Sequence, residues 1–334
     1  MILSRHCIPL AAAITLLSAS LSLTGGFALL LTYNKIPEFQ SPVRKILVFL
    51  TVADIFSAFG YIVGTANFLR LDDSQKNSTD PICKAQSFVT TFASLSSFAW
   101  TSIIAVHLFL AIRRQQDFER NRLLKIVYYI LGWVVPAIIS ICFLVLDKLG
   151  RDVHGRLTVT GLWCWVKVEH SNGTRTSGIV SLLMSGKLWE LMTYVLSFSM
   201  YMLLKINTYF ERQKNRSYCW SDVDGANLTN EDERFCFTWL VLYLLRFWGT
   251  IRFFFAVADV QSDEIIFADT LFMYFQCAGD SAQALGNFIL FCLLDKNIRK
   301  KYLEMIGDFC KTRKKYELLN AESDGYQSTL YTER

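Results

Sequence analysis

One uninterrupted apolar run constrains this chain more than any other stretch. Residues 83–112 contain a single charged side chain, Lys84, and the pair Arg113 and Arg114 follows directly. As an α-helix, this run would extend for about 45 Å. That length exceeds the ~30 Å hydrocarbon core of a bilayer, so the run predicts a transmembrane helix that crosses at a tilt.

The same run is rich in small hydroxyl side chains, which are unusual for a helix that faces lipid on all sides. Small polar residues let neighbouring helices approach closely and form hydrogen bonds across the contact. We therefore expect this helix to be central, with other helices packed around it. The residues concerned are Thr90, Thr91, Ser94, Ser96, Ser97, Thr101 and Ser102.

Six further apolar blocks define the fold class. Of the 334 residues, 52% are hydrophobic and only 19% are charged, and the mean hydropathy is +0.30. Blocks of twenty or more apolar residues indicate membrane-spanning helices. The prediction is an all-α membrane protein, a seven-transmembrane helix bundle over residues 1–293 that keeps its first helix, with no nucleic-acid-binding module. The predicted helices cover residues 8–32, 45–69, 83–112, 123–146, 179–206, 235–258 and 266–293.

The distribution of Lys and Arg predicts the orientation of the bundle. With the N-terminus outside, the segments assigned to the cytoplasm carry 22 Lys and Arg residues, and those assigned to the outside carry 8. Connectors rich in Lys and Arg stay preferentially on the cytoplasmic side. We therefore expect a multi-pass plasma-membrane protein with an extracellular N-terminus and a cytoplasmic C-terminus.

The outer face is expected to carry one disulfide and two glycosylated asparagines. The odd set of nine cysteines fits no disulfide framework. Apart from Cys7, only Cys83 and Cys164 fall at the outer face, which is the oxidising side of the membrane, so a Cys83–Cys164 bond is predicted. Asn77 and Asn172 begin glycosylation sequons on that face.

The C-terminal part is predicted to lie at the inner membrane surface. Within residues 294–310, apolar side chains recur at helical spacing and basic side chains fall elsewhere, which is typical of an amphipathic surface helix. Cys310 at its end is a candidate for palmitoylation. The polar residues 311–334 are predicted to form a disordered cytoplasmic tail.

Local motifs identify a resemblance to the G-protein-coupled receptors. The third helix lacks the Asp/Glu-Arg-Tyr of rhodopsin-like receptors, and the seventh lacks Asn-Pro-x-x-Tyr. The chain instead resembles secretin/adhesion receptors and slime-mould cyclic-AMP receptors, and it is similar to the family of orphan G-protein-coupled receptor 157. The motifs are Gly132-Trp-Val-Val-Pro136, Trp163-Cys-Trp165, Gly186-Lys-Leu-Trp-Glu190 and Arg246-Phe-Trp-Gly-Thr-Ile-Arg252-Phe253.

Charged residues within the predicted spans indicate the ligand pocket that this resemblance implies. Burying an ion in lipid costs at least about 2.5–3.5 kcal/mol, so such charges face the bundle interior and have partners. Lys187 and Glu190 share one helical face, either as a mutually neutralised pair or as groups for which a ligand competes. Arg252 is the preferred group for an anion or carbonyl of the ligand. The predicted pocket residues are Lys187, Trp189, Glu190, Trp248, Arg252, Trp163 and Trp165.

The sequence allows two interpretations of Trp163 and Trp165, and two of a second group of buried polar residues. Trp163 and Trp165 either cap the pocket mouth or belong to an interfacial aromatic belt. An internal polar network is expected, which either rearranges on activation or only satisfies the cost of burial. Its members are Asp54, Arg246, Asp280 and Asn287.

The resemblance implies a receptor that transmits the signal of an unknown small extracellular ligand to a heterotrimeric G protein, with Gq, phospholipase C and calcium as the implied branch. Arg113, Arg114, Arg120 and Arg122 would face the G protein, unless they only follow the charge bias of cytoplasmic loops. No enzyme activity, cofactor or metal is expected. The main alternative is a transporter that uses the intramembrane charges.

Overall fold

The computed structural model describes a set of mostly long α-helices. It covers residues 7–37, 40–71, 80–114, 121–151, 162–167, 175–216, 238–258, 262–296, 298–302 and 304. We number the helices α1 Ile8–Lys35, α2 Pro42–Arg70, α3 Pro81–Arg114, α4 Arg122–Val145, α5 Arg175–Arg216, α6 Thr238–Ala258, α7a Asp263–Ser281 and α7b Gln283–Phe288.

Five of these helices have the length and hydropathy needed to cross a membrane. Their spans are Ile8–Lys35, Pro42–Arg70, Pro81–Leu110, Arg122–Val145 and Gly178–Asn207. The protein is therefore an all-α, multi-pass membrane protein. Helices α6 and α7a correspond to the sixth and seventh predicted spans but are not among these five, so the count of seven spans stays a prediction.

The first helix illustrates how this bundle is packed. Its buried face is built from small residues, including Ala11, Thr15 and Ala19, while Leu17 and Leu31 are exposed. In a bilayer this arrangement is favourable, because lipid tails solvate large apolar side chains and small residues let backbones approach. Exposed leucines on α1 therefore mark its lipid-facing side.

Helix α3 packs against α2, α4, α5 and α6, as expected for the central helix. Its seven hydroxyl residues predicted to mediate packing are all buried or half-buried. Gly132 of α4 lies against the indole of Trp100, where a Cβ atom would clash with the ring. This contact brings α4 close to the middle of α3.

Two helices contain π-helical turns that the sequence analysis does not foresee. One turn lies at Ile130–Val134 in α4, and the other lies at Leu183–Lys187 in α5. Each π-turn adds a residue to the helical repeat and rotates the side chains that follow, and such turns are frequent at functional sites. The turn in α5 positions Lys187.

The seventh helix is interrupted, although a continuous helix over 266–293 is predicted. Ala282 leaves the helical conformation, and its N–H bonds to the carbonyl of Gly279 at 3.1 Å. The N–H of Leu285, which loses its usual partner there, donates to Ser22 Oγ at 3.3 Å. An interruption within a membrane is tolerated where such freed groups find partners in neighbouring helices.

A short hairpin lies where α3 begins and α4 ends. Strand β1, Leu149–Gly150, pairs antiparallel with β2, Trp165–Val166, with Leu149 opposite Val166. The predicted Cys83–Cys164 disulfide is confirmed, with the Cα atoms 5.6 Å apart. It ties the start of α3 to the residue preceding β2.

The chain divides into two compact units, Met1–Phe288 and Ile289–Arg334. The second begins with a π-helical turn, Ile289–Leu293, and is helical at 298–302. Ile298 is buried, while Arg299 and Lys300 are exposed, and the amphipathic surface helix over 294–310 stays a prediction. The residues from 305 onward, including Cys310 and the tail 311–334, lie outside the described residues, as do Asn77, Asn172 and Arg120.

A polar cavity inside the helix bundle

A buried carboxylate joins three helices at the centre of the bundle. Asp54 of α2 is only 2% exposed. Ser97 Oγ of α3 donates to its Oδ1 at 2.6 Å, and Asn287 Nδ2 of α7b donates to its Oδ2 at 2.7 Å. Hydrogen bonds to both oxygens offset part of the cost of burying the group. Asp54 therefore couples α2, α3 and the segment that follows the interruption of α7.

A second buried carboxylate joins α5 to α6. Glu190 Oε2 accepts from Lys187 Nζ at 2.8 Å, and both side chains are almost fully buried. Its Oε1 accepts from Thr250 Oγ1 at 2.6 Å and from Tyr194 Oη at 2.8 Å. Lys187 and Glu190 thus form the neutralised pair that the sequence analysis gives as one alternative, with two hydroxyl groups added.

Arg246 lies close to the same cluster. Its Nη2 donates to Ser94 Oγ of α3 at 3.2 Å, and its guanidinium carbon lies 4.7 Å from the centre of the Phe98 ring. A cation above an aromatic face is stabilised by the ring quadrupole. On α7a, Asp280 Oδ2 accepts from Gln276 Nε2 at 3.0 Å. Arg246 and Asp280 both line one small cavity.

Arg252 is engaged within the protein. Its Nε and Nη2 donate to the two carboxylate oxygens of Asp269 at 2.9 and 3.2 Å, and its Nη1 donates to Gln276 Oε1 at 2.7 Å. A bidentate pair of this kind is strong and geometrically specific. A ligand that uses Arg252 must therefore displace Asp269 or share its guanidinium.

The cavity enclosed by these groups is small, with a volume of about 40 Å³. Since one water needs at least about 10–15 Å³, it has room for a few water molecules. Six of the predicted residues line it together with Tyr61, Ser94 and Gln276: Trp163, Trp165, Lys187, Glu190, Arg246 and Asp280. We call it the polar cavity.

Three predicted pocket residues take other positions. Trp248 packs on Phe272 and Phe275 with ring centres 5.7 and 4.7 Å away. Trp189 donates its indole N–H to the carbonyl of Met184 at 3.0 Å and lines an apolar groove on the outside of the bundle. Arg252 is not among the residues that line the polar cavity, and it donates to Gln276, whose amide also donates to Asp280 in the cavity wall.

The segment Leu162–Lys167 covers the polar cavity. Gln86 of α3 accepts from the Cys164 N–H at 2.9 Å and donates to its carbonyl at 3.3 Å, and Ser87 Oγ donates to the Trp165 carbonyl. The Trp163 ring packs edge-on against Tyr61, with centres 4.8 Å apart. The disulfide and these bonds hold both tryptophans in the cavity wall.

An ion cluster fixes the base of the same segment. Asp147, just after α4, accepts from Lys84 Nζ at 2.6 Å and from Lys167 Nζ at 2.8 Å. Hydrogen bonds from Lys167 and Lys84 lower the pKa of Asp147 to about 2. We call these three residues the outer ion cluster.

Several participants were missed at the sequence level. Tyr194 and Thr250 complete the shell of Glu190, and Asp269 and Gln276 hold Arg252. Tyr194 follows Glu190 by four residues, so helical spacing was an available signal. Asp269 falls within the predicted seventh span, 266–293, but helical spacing gives no pairing with Arg252, which lies on another helix.

The proposed cytoplasmic arginines are only partly described. Arg113 and Arg114 end α3, and Arg122 begins α4 with its side chain exposed. Asn121 caps α4 by accepting from the Leu124 N–H at 3.2 Å. Capping fixes the start of α4 and therefore the position from which Arg122 projects.

Comparison with known proteins places these features in a receptor family. The sequence profile described as slime mold cyclic AMP receptor matches residues 3–180. The chain is 28% identical to mouse G-protein coupled receptor 157 and 29% identical to the rat protein, covering 89% of this chain and 86% of each relative. It is also 26% identical to Arabidopsis G-protein coupled receptor 1 over 53% of this chain and 47% of that protein. The resemblance stated from the motifs is confirmed.

Proposed function

Because the chain belongs to the slime mold cyclic AMP receptor family, we propose that it is a G-protein-coupled receptor with seven membrane spans, an extracellular N-terminus and a cytoplasmic C-terminus. The observation that carries the proposal is the match to receptors along nearly the whole chain. The charge bias of the connectors supports the orientation. The disulfide is in keeping with it, since Cys83 and Cys164 meet at one end of the bundle.

The polar cavity is the proposed ligand site. Its volume of about 40 Å³ is far below the ~300–1,000 Å³ of ordinary small-molecule sites, so a ligand needs the cavity to open. The disulfide and Gln86 tie the covering segment Leu162–Lys167 to α3, so we expect the cavity to open by movement of α5 and α6, which also line it. Cyclic AMP, which the family's name mentions, is the first ligand to test.

The proposed mechanism is a shift between two states of the bundle. An agonist that binds better to an open state and a G protein that prefers the same state are coupled reciprocally. The bonds of Glu190 join α5 to α6, and those of Asp54 join α2 and α3 to α7b. Opening at either end changes these bonds, so both clusters are suited to carry the coupling.

G-protein coupling is tested by measuring recruitment of each main Gα class to cells that express the chain, with and without extracellular cyclic AMP. We expect recruitment by at least one class, and Gq with a calcium response is the branch proposed. Recruitment by none of the classes in either condition would count against the receptor function.

A matched pair of variants distinguishes a specific contact of Arg122 with the G protein from the effect of changing the charge of any exposed arginine. Arg122 and Arg70 are both exposed arginines at helix ends, and the proposal puts them on opposite sides of the membrane. We expect Arg122→Glu to reduce recruitment several-fold and Arg70→Glu to leave it unchanged at equal surface expression. Equal effects of both changes would remove Arg122 from the proposed G-protein surface.

The interruption of α7 at Ala282 adds to the buried charges in favouring the transporter alternative. Broken helices and buried charges are common at transport sites. Purified protein in vesicles decides between the two, since substrate-dependent flux without a G protein would identify a transporter.

A further inference from the structure

A second cavity lies on the outside of the bundle, between α3, α4 and α5. Its volume is about 680 Å³, and its lining residues fall within 95–106 of α3, 128–139 of α4 and 189–199 of α5. This volume lies within the ~300–1,000 Å³ range of small-molecule sites. We call this cavity the lateral groove.

The lateral groove is suited to hydrocarbon. None of the described residues that line it is charged. Two hydroxyl groups in its wall are used within the protein: Ser102 Oγ donates to Thr193 Oγ1 at 3.1 Å, and Thr193 Oγ1 donates to the Phe98 carbonyl at 3.3 Å. Burying a charged or strongly polar guest against this wall would be costly.

The surroundings of the groove supply that hydrocarbon. Leu131 and Val195 line it and are exposed, on helices that are apolar enough to cross a membrane. Such exposed apolar side chains face lipid tails when the helices are in a bilayer. The groove is therefore open to the acyl-chain region.

The shape of the groove favours a chain that runs along the helices. Its lining extends over eleven residue steps of α3, and such a stretch of helix is about 16 Å long. That is about half of the ~30 Å hydrocarbon core, or the depth of one leaflet. A helix of a second copy does not fit, because 680 Å³ holds only roughly 7 Å of a cylinder as wide as an α-helix.

We infer that the lateral groove binds one acyl chain of a membrane phospholipid, lying parallel to α3 and α5. In the proposed orientation the lining of α3 occupies the inner half of its span, whereas the linings of α4 and α5 are centred near mid-span. We therefore expect the chain to enter from the cytoplasmic leaflet and to end near the middle of the membrane. The inference requires insertion in a bilayer and does not depend on G-protein coupling.

The bound chain would lie against the polar cavity. Phe98 lines both cavities, and its ring carries the Arg246 guanidinium at 4.7 Å. Trp189 lines the groove, and the next residue, Glu190, lines the polar cavity. A filled groove therefore supports the wall that separates it from the buried charges.

The test uses the full chain in nanodiscs of diphytanoyl phosphatidylcholine, whose methyl-branched chains compete poorly for a narrow groove, with rising fractions of a phosphatidylcholine that carries a straight photoreactive acyl chain. Labelled peptides are quantified by mass spectrometry after irradiation. We expect groove labelling to saturate at a low fraction of the probe, while labelling of the exposed side of α1, at Leu17 and Leu31, rises in proportion. Proportional labelling at both places would overturn the inference.

Two adjacent residues give matched variants. Ile139 lines the groove, whereas Ile138 is 55% exposed and is not among the lining residues. We expect Ile139→Trp to reduce saturable labelling at least fivefold and Ile138→Trp to leave it unchanged. Ala99→Leu, which narrows the groove from α3, is the second filling variant if Ile139→Trp does not fold.

Other occupants are distinguished in the same preparation. Displacement of the acyl probe by a photoreactive sterol would overturn the inference in favour of a sterol. Cross-linking of two receptors through a cysteine placed at Val195 would overturn it in favour of a second copy. Saturable acyl labelling in a protein that recruits no G protein would support this inference while the proposed function fails.

Discussion

Two carboxylates in this molecule have similar partners and very different surroundings. Asp147 in the outer ion cluster lies between two lysines, and its side chain is 58% exposed. Glu190 lies beside one lysine and two hydroxyl groups, and its side chain is 3% exposed. Hydrogen-bond distances are nearly the same at both sites, so geometry alone does not separate them.

The difference lies in what replaces a lost partner. Around Asp147, water solvates any group that is set free, and exposed pairs contribute little to stability. Around Glu190, no bulk solvent is available, so a lysine left alone carries the full cost of burial. The same chemical pair therefore holds a loop in place at the surface and constrains the whole bundle inside.

The largest effect is expected from breaking the buried pair. Glu190→Gln leaves the buried Lys187 without its counter-charge, which should reduce stability by about 3–5 kcal/mol. Chemical unfolding in mixed micelles measures this loss. The double variant Lys187→Met, Glu190→Gln should recover most of it, and a double variant as unstable as the single one would contradict this account.

Removing the disulfide should have the next largest effect. Cys83 and Cys164 are 81 residues apart, and loss of a bond that closes a long loop typically costs about 2–5 kcal/mol. Thermal unfolding of Cys83→Ser in nanodiscs tests this expectation. Cys7→Ser is the matched control, because Cys7 is a free thiol, and it should unfold at the temperature of the unmodified protein.

Loss of the central carboxylate should cost less than loss of the buried pair. Asp54→Ala removes two hydrogen bonds, at about 0.6–1.7 kcal/mol each inside a membrane, or about 1–3 kcal/mol together. Ser97→Ala removes only one of them and should lose about half as much. Adding Ser97→Ala to Asp54→Ala should change little, and a fully additive loss would show that Ser97 acts through another partner.

The smallest effect is expected at Asp147, and it depends on pH. The folded pKa of about 2 lies below the ordinary value of 3.8, so the unfolded chain takes up the proton first as pH falls. The stabilisation, about 0.2–1 kcal/mol for an exposed pair, is complete above about pH 4 and is lost as pH falls from 3.8 toward 2. Asp147→Asn should lack this component. Its free energy of unfolding should therefore lie below that of the unmodified protein at pH 6, and the difference should shrink at pH 2.5. A constant difference between the two proteins would contradict the assignment.

The features that could be predicted from the sequence are those determined within a single helix or by the side of the membrane. Apolar block length located α2 and α3, the spacing of Lys187 and Glu190 put them on one face, and the oxidising side of the membrane paired Cys83 with Cys164. Each of these inferences needs only the chain's own periodicity or the side of the membrane on which a residue lies.

Contacts between helices were beyond that reasoning. Arg252 with Asp269, and Glu190 with Thr250, depend on how α5, α6 and α7a are rotated about their axes. The π-turn in α4 is followed by Pro136, which cannot donate a backbone hydrogen bond, but no Pro marks the π-turn in α5 or the interruption at Ala282. The close approach of Gly279 to the Leu245 carbonyl, which leaves no space for a Cβ atom, likewise appears only in three dimensions.

A single aromatic ring, Phe98, forms part of the wall of both compartments. Occupancy of the lateral groove therefore affects binding in the polar cavity through this ring, and by reciprocity binding in the polar cavity affects occupancy of the groove to the same extent. Membrane composition would then modulate the affinity of the polar cavity for its ligand. A change in the fatty acids of the cell would alter the response to the same concentration of ligand.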